Sequence, residues 1–197
     1  MTTAQGSAPG SSDGIVYRLA RPEDAGAIEA LDSSFTTATV FRATVSEAGF
    51  TIREVPVDPP VHKVFPPEEH DEQGLGGTPG ADVEGDARTY VALDGGALCG
   101  FVAVGYAAWN RRLTIEDIEV APGHRGRGIG RALMEHADGF ARERGAEHLW
   151  LEVSTVNAPA VHAYRRMGFD FCGLDTTLYA GTPAAGERAL FMSRPCR

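Results

Sequence analysis

A glycine-rich turn places the strongest constraint on this sequence. The segment EVAPGHRGRGIGRAL, residues 119–133, carries four glycines and four arginine or histidine side chains. It follows the alternating stretch TIEDIEV (114–120) and leads into a helical pattern with one apolar face, made of Leu133, Met134, Ala137, Phe140 and Ala141. Glycines at a helix start expose backbone N–H groups, which bind anions when positive charge lies nearby. The segment therefore predicts a strand-turn-helix unit that binds a phosphate-bearing ligand.

Three other interpretations of the turn fit less well. A Walker loop requires G-x-x-x-x-G-K-[ST], and both the lysine and the hydroxyl residue are missing. A dinucleotide fingerprint follows its strand directly and has an acidic residue at the end of the next strand. Here APGH intervenes, and Glu152 lies inside the next predicted strand. A plain surface turn would leave three clustered arginines on an acidic protein without a purpose.

Alternation and turn signals along the chain predict a mixed α/β (α+β) fold. Predicted strands lie at 15–20, 50–55, 89–93, 98–109, 114–120 and 148–154, with late strands in FDFCGL (169–174) and ALFMS (189–193). Asp94-Gly95-Gly96 is a hairpin signal, and the prolines that follow residue 55 are expected to end their strand. Two further helices are predicted, one from Arg21 through Phe35 and one at 157–168.

Composition indicates one soluble globular domain, at residues 14–197. The chain has 197 residues, 43% of them hydrophobic and 23% charged, which is enough to bury a core. Residues 1–13 are expected to be a disordered tail. Residues 66–88 carry seven acidic side chains and are expected to form a mobile acidic loop, which either attracts a cationic substrate or has no function. The formal net charge of −9 disfavours nucleic acid and anionic membranes and favours a cationic partner.

Cysteine usage and the N-terminus limit the remaining classes. Cys99, Cys172 and Cys196 are odd in number and widely spaced, which predicts thiols instead of disulfides or a metal knuckle. The histidines show no paired helical spacing, so we predict no metal site. No apolar run reaches the about 20 residues of a spanning helix, and the first residues lack the features of a leader. These features predict a cytoplasmic protein and leave open whether it forms a homodimer.

Two ordered motifs resemble the GNAT N-acetyltransferases. The first is R-x-x-G-x-G at 125–130, after a strand that ends in IEV. The second is LWLEV…N-x-P-A…Y-x-x-x-G-F, which occupies 149–153, 157–160 and 164–169. Both lie where that family has them, and the resemblance extends over residues 15–193. It implies the GNAT fold, in which helices flank a mixed, mostly antiparallel central sheet.

The resemblance implies acetyl-CoA as the co-substrate. Pantetheine would lie along the strand that ends at Val120, whose N–H would stabilise charge on the thioester oxygen, and the glycine-rich turn would hold the pyrophosphate. The residues implied in cofactor binding are Ile118, Glu119, Val120, Arg125, Gly126, Arg127, Gly128, Ile129, Gly130, Arg131, Asn157 and Tyr164. The acceptor amine would attack the thioester directly, so the cysteines need no catalytic role.

Such a reaction needs a proton donor for the leaving thiolate and a path for the proton of the amine. Tyr164 occupies the tyrosine of Y-x-x-x-G-F, where the family often has the proton donor. Candidate bases are Glu152, where some relatives have a glutamate that acts through water, and Glu116, which two-residue alternation places on the face of Ile118. By the same alternation Glu119 faces the other way. Each glutamate could instead bind a cationic substrate, and the tyrosine could be a packed core residue.

Longer stretches, such as WNRRLTIEDIEV and ARERGAEHLWLEV, resemble the branch of the family that acetylates the β-lysine amine of streptothricin antibiotics. The implied acceptor is a small cationic antibiotic. Candidate acceptor-site residues are Asp32, Phe35, Trp109, Glu116 and Glu152. Two alternatives stay open, namely a protein N-terminus or polyamine as the acceptor, and a non-catalytic acyl-CoA sensor. A sensor would need neither the tyrosine nor a catalytic glutamate.

Overall fold

The protein is built on a seven-stranded sheet and a two-stranded hairpin. A computed structural model describes residues 14–64 and 85–196. In chain order the strands are β1 (Ile15–Leu19), β2 (Phe35–Ser46), β3 (Gly49–Lys63), β4 (Ala87–Asp94), β5 (Ala97–Ala107), β6 (Arg112–Val120), β7 (His148–Ser154), β8 (Asp170–Asp175) and β9 (Ala189–Pro195). The α-helices are α1 (Ala25–Glu29), α2 (Ile129–Arg144) and α3 (Ala158–Arg166). The predictions for 1–13 and for most of 66–88 lie outside the described residues.

Sheet topology confirms the predicted fold class. The strand order is β1-β4-β5-β6-β7-β9-β8, and β2 pairs with β3 in a separate sheet. Every neighbouring pair in the large sheet is antiparallel except β6 and β7, which are parallel. A helix follows each of these two parallel strands. Within the described ranges, no helix has the length and apolar character needed to cross a bilayer.

The core lies where α2 and α3 pack on the sheet. The five predicted apolar residues of α2 are all buried, and they share one cluster with Leu149 and Leu151 of β7 and Tyr164 of α3. Gly145 ends α2 in a left-handed conformation with φ of +67°. This conformation is the usual helix stop, because glycine lacks the Cβ that would make it costly.

The predicted hairpin between β4 and β5 is present. Gly95 and Gly96 form its turn with φ of +57° and +90°. β4 begins at Ala87, two residues before the predicted start, and Asp86 is buried. The assignment of 85–88 to a mobile acidic loop is therefore wrong for Asp86 and for the strand residues that follow it.

The helix predicted after β1 is largely wrong. A short 3-10 turn at Pro22–Asp24 and the five-residue α1 occupy its beginning, and Phe35 already belongs to β2. The stretch TTATVFRATV (36–45) is rich in β-branched residues, which favour strands. Phe35 is buried in this strand instead of on a helix.

β3 continues through the prolines that were expected to end it. It spans 49–63 and contains Pro56, Pro59 and Pro60. One side of β3 pairs with β2, and no described strand pairs with the other side. Proline is tolerated at such an edge because its missing N–H is not needed for a ladder.

Gly100 of β5 is a position where the fold requires glycine. A Cβ there would lie 2.8 Å from the carbonyl oxygen of Glu119 and 3.3 Å from Cγ2 of Val120. We expect Gly100→Ala to lower the free energy of unfolding by about 1–3 kcal/mol, because the two strand backbones must move apart. Urea denaturation measures the loss. The control is Gly26→Ala in α1, where the new Cβ has no described heavy atom within 4 Å beyond its own helix backbone and chain neighbours. An unchanged midpoint for Gly100→Ala would contradict the close packing.

Candidate active site

A crevice opens where β6 and β7 separate. The parallel register runs from Arg112 opposite His148 to Ile115 opposite Leu151 and then stops. β6 continues for five residues, to Val120, without pairing to β7. The helices that follow both strands begin at this end of the sheet. Open α/β sheets bind ligands at the carboxyl ends of their parallel strands, so this crevice is the candidate active site.

A β-bulge lies in β6 beside the crevice. Ala103 of β5 pairs with Asp117 and Val104 pairs with Ile115, so Glu116 is the extra residue. The alternation that was used to place Glu116 on the face of Ile118 therefore fails at this residue. Its proposed role as a base therefore loses that argument.

α3 brings Tyr164 to the crevice. Tyr164 is 9% exposed. Burial raises the pKa of its hydroxyl, and the nearby charges of Asp117, Glu152 and Glu119 raise this pKa further. These carboxylates belong to both diverging strands, so the tyrosine lies close to each of them. A hydroxyl in this environment stays protonated at neutral pH, as a proton donor must. The sequence reasoning missed Asp117, because no motif marks it.

Glu152 of β7 is half-buried and forms an acidic cluster with Glu187. The hydroxyl of Tyr179 donates a hydrogen bond to its Oε1. Burial raises the pKa of Glu152, the Tyr179 hydrogen bond lowers it, and the charge of Glu187 raises it. Glu187 accepts hydrogen bonds from the Nζ of Lys63 and the Oγ of Ser154. A cationic amine would be favoured beside these two carboxylates.

The glycine-rich turn has the predicted open geometry. Gly126 and Gly128 have φ of +77° and +83°, and Gly128 caps α2. The first helical bond runs from the N–H of Ala132 to the carbonyl of Gly128, at 3.0 Å. The preceding N–H groups have no partner within the helix. Apart from the adjacent residues, no heavy atom of the described chain lies within 4 Å of a Cβ built on either glycine, so the turn leaves room for an anion at its backbone.

The three arginines of the turn have different surroundings. Arg125 donates to the carbonyls of Val120 at 2.8 Å, Ser34 at 2.7 Å and Ser33 at 3.1 Å, so its side chain braces the turn. Arg127 pairs with Asp94 at 2.9 Å. Arg131 has an 80% exposed side chain, and its only ion pair among the described residues is a loose one with Glu135 at 3.4 Å. Arg127 and Arg131 are therefore better placed than Arg125 to turn toward a phosphate.

The other predicted binding residues fall in three places. Asn157 caps α3, and its Oδ1 accepts from the N–H of Ala160 at 3.2 Å. Asp32 accepts from the N–H of Ser34 at 2.9 Å, and Arg125 donates to the carbonyl of Ser34, so Asp32 lies beside the glycine-rich turn. Phe35 is buried at the start of β2, the strand beside β3.

Trp109 lies away from the crevice. Its side chain is 77% exposed in the turn between β5 and β6. The neighbouring Arg111 donates to the carbonyl of Gly145 at 3.1 Å, which ties this turn to the C-terminal end of α2. The glycine-rich turn is at the other end of the same helix. Trp109 is therefore corrected from a candidate acceptor residue to a surface residue.

Known proteins match the chain over this whole arrangement. Residues 52–169 match the Acetyltransferase (GNAT) family. The chain belongs to the GNAT acetyltransferase family. This GNAT protein is an acetyl-CoA-dependent N-acetyltransferase, as predicted. It is 63% identical to the streptothricin acetyltransferase of Streptomyces lavendulae over 198 residues, which cover 100% of both chains.

Solved structures agree with the family assignment. A crystal structure of nourseothricin acetyltransferase superposes with a TM-score of 0.84 at 62% identity. The match covers 93% of this chain and 99% of the nourseothricin acetyltransferase chain. A Bacillus anthracis structure in complex with acetyl coenzyme A has a TM-score of 0.71 at 23% identity over 92% of this chain and 99% of its own. The latter supports the GNAT fold alone. In the described part of this GNAT chain, no group of three or more His, Cys, Asp or Glu residues could hold a metal ion.

Proposed function

We propose that the protein acetylates the β-lysine amine of streptothricin-type antibiotics by direct attack of the amine in a ternary complex. The observation that carries the proposal is the full-length identity of 63% to a streptothricin acetyltransferase. The acidic cluster supports it, because carboxylates at a crevice raise the local concentration of a cationic substrate. We assign the reaction to the cytoplasm, since acetyl-CoA is a cytoplasmic metabolite.

The residues at the crevice fit acetyl-CoA. The backbone of the glycine turn and the side chains of Arg127 and Arg131 would hold the pyrophosphate. β6 continues from residue 116 to residue 120 without pairing to β7, so this side of the strand has room for a chain that adds like a strand. When bound, acetyl-CoA supplies the acetyl group as a reactive thioester, and the proposal therefore includes no metal ion.

Two side chains carry the protons in this proposal. Glu152 accepts the proton of the acceptor ammonium, either directly or through water, so that the amine becomes a nucleophile. Tyr164 donates its hydroxyl proton to the departing sulfur. The pKa of Glu152 is raised toward neutral pH, which makes its carboxylate a better base.

Release of the CoA thiol tests the proposed acceptor. The protein is incubated with acetyl-CoA and streptothricin, with spermidine and with peptides that carry free N-termini or lysines. We expect fast release with streptothricin and release near background with the other amines. Mass spectrometry of the product should then locate one acetyl group on the β-lysine moiety. Faster turnover of spermidine or of a peptide would show that this amine, and not the antibiotic, is the acceptor. Equally fast thiol release without any amine would show that no acceptor is selected.

The glycine turn can be tested by Gly128→Val. A β-branched residue is strained at φ of +83°, so the turn must change and its N–H groups lose their common direction. We expect CoA to bind at least about tenfold more weakly, since such backbone strain costs about 1–3 kcal/mol. Calorimetric titration measures the affinity.

Gly128→Asn is the matched control, because asparagine tolerates the left-handed region. It should keep most of the affinity. Unchanged CoA affinity in a folded valine variant would show that the pyrophosphate does not bind at this turn.

A further inference from the structure

Tyr179 contacts the candidate base, although no motif of the sequence marked it. It lies in the connection between β8 and β9. Its hydroxyl donates to Oε1 of Glu152, and no described residue donates to Oε2. One carboxylate oxygen is therefore held while the other is left for a ligand.

We propose that Tyr179 is a positioning residue, whose hydroxyl fixes the Glu152 carboxylate so that Oε2 faces the acceptor amine. The inference deepens the proposed function and rests on it for the role of Glu152. The contact itself is independent of any substrate. A carboxylate with one oxygen held has fewer rotamers to lose when the amine binds, so it meets the amine in a reactive orientation.

Charged and titratable groups surround Glu152 from several elements. The β8–β9 connection supplies Tyr179 and Glu187, and β3 supplies Lys63, which pairs with Glu187. α3 supplies Tyr164, whose hydroxyl responds to the charge of Glu152. β6 supplies Asp117 and Glu119, which also act on Tyr164. Among the described residues, only Tyr179 donates a hydrogen bond to the Glu152 carboxylate.

Two substitutions should move the pKa of Glu152 in opposite directions. The Tyr179 hydrogen bond favours the ionised carboxylate, so Tyr179→Phe should raise this pKa. The negative charge of Glu187 disfavours ionisation, so Glu187→Gln should lower it. A general loss of packing would not produce shifts of opposite sign. The pair of variants therefore separates a positioning role from a structural one.

The first measurement uses the free protein. Carbon-13 NMR of the glutamate carboxyl groups follows the titration of Glu152, and its signal is assigned by its absence in Glu152→Gln. For Tyr179→Phe we expect an increase of about one unit in this pKa, the size typical of a lost hydrogen bond to a charged group. Neither acetyl-CoA nor an acceptor is present, so the result does not depend on the proposed function.

The second measurement is the pH dependence of kcat/KM with streptothricin. A base acts when it is deprotonated, so a raised pKa moves the acid limb to higher pH. In Tyr179→Phe the limb should move up by about one unit, which lowers kcat/KM about tenfold below the limb. Tyr106→Phe is the matched control, since it removes a hydroxyl from a buried ring of β5 outside the site and should leave the limb in place.

The outcomes separate the two proposals. An unchanged Glu152 titration in a folded Tyr179→Phe variant overturns the positioning role, whatever the substrate. A shifted titration with a shifted acid limb supports it. A shifted titration with an unmoved limb, in an assay limited by chemistry, also overturns the inference, because Glu152 would then not be the base. Failure of wild-type protein to acetylate streptothricin would instead overturn the proposed function and leave the NMR result to stand alone.

Discussion

Replacing Tyr164 with phenylalanine should lower kcat by about 10²–10⁴-fold, the range typical of a lost general acid. KM for acetyl-CoA should change little, because the hydroxyl acts mainly in the transition state. The ring is packed among core residues, and its centroid lies 5.9 Å from that of Phe169. Phenylalanine keeps this packing, so the variant should fold. Rapid-quench measurement of acetyl transfer gives the chemical rate directly.

Tyr90→Phe is a control for this experiment. Tyr90 is also buried, at 8% exposure, and lies on β4 away from the crevice. Its loss of a hydroxyl should leave kcat near the wild-type value. The raised pKa of Tyr164 adds a second test. The Tyr164 hydroxyl should stay protonated at pH values above 10, which is the ordinary pKa of a tyrosine. A loss of activity centred well below pH 10 that disappears in Tyr164→Phe would contradict this environment.

Glu152→Gln should lower kcat/KM by about 10²–10⁴-fold at neutral pH and remove the acid limb of the pH profile. Glutamine keeps the size of the side chain and still accepts the hydrogen bond of Tyr179. It cannot take the proton of the acceptor. The pH profile of kcat/KM between about pH 5 and 9 is the measurement.

Glu116→Gln distinguishes the two bases that the sequence left open. If Glu152 is the base, Glu116→Gln keeps an acid limb, and any effect is on the KM of the cationic acceptor. A lost limb in Glu116→Gln together with an intact limb in Glu152→Gln would reverse the assignment. CoA affinity, measured by calorimetry, should be unchanged in both variants. This measurement is the control that each variant is folded.

Local signals explain what the sequence predicted correctly. The β4–β5 turn and the unit from β6 through α2 rest on adjacent residues, such as Gly95-Gly96 and the glycines at 126–130. The resemblance to the GNAT family, which rests on two short motifs, implied a shared catalytic site for Tyr164 and Glu152. These predictions needed no knowledge of distant contacts.

Long-range contacts explain what the sequence did not predict. Lys63 and Glu187 form their ion pair across 124 positions of the chain. Tyr179 reaches Glu152 from a connection without periodicity. The bulge at Glu116 depends on the register of the neighbouring strand, so alternation within β6 could not show it. The β2–β3 hairpin was missed because a helical spacing up to Phe35 competed with the β-branched residues after it.

The prolines of β3 have a consequence for how the protein behaves at high concentration. A 15-residue strand with a bare edge would be a template on which further chains could grow into fibrils. Pro56, Pro59 and Pro60 remove N–H donors from β3, and Asp58 adds a charge between them. An incoming strand therefore cannot form a continuous ladder along this edge. The same long arm that carries Lys63 to the acidic cluster is in this way kept from recruiting other copies of itself.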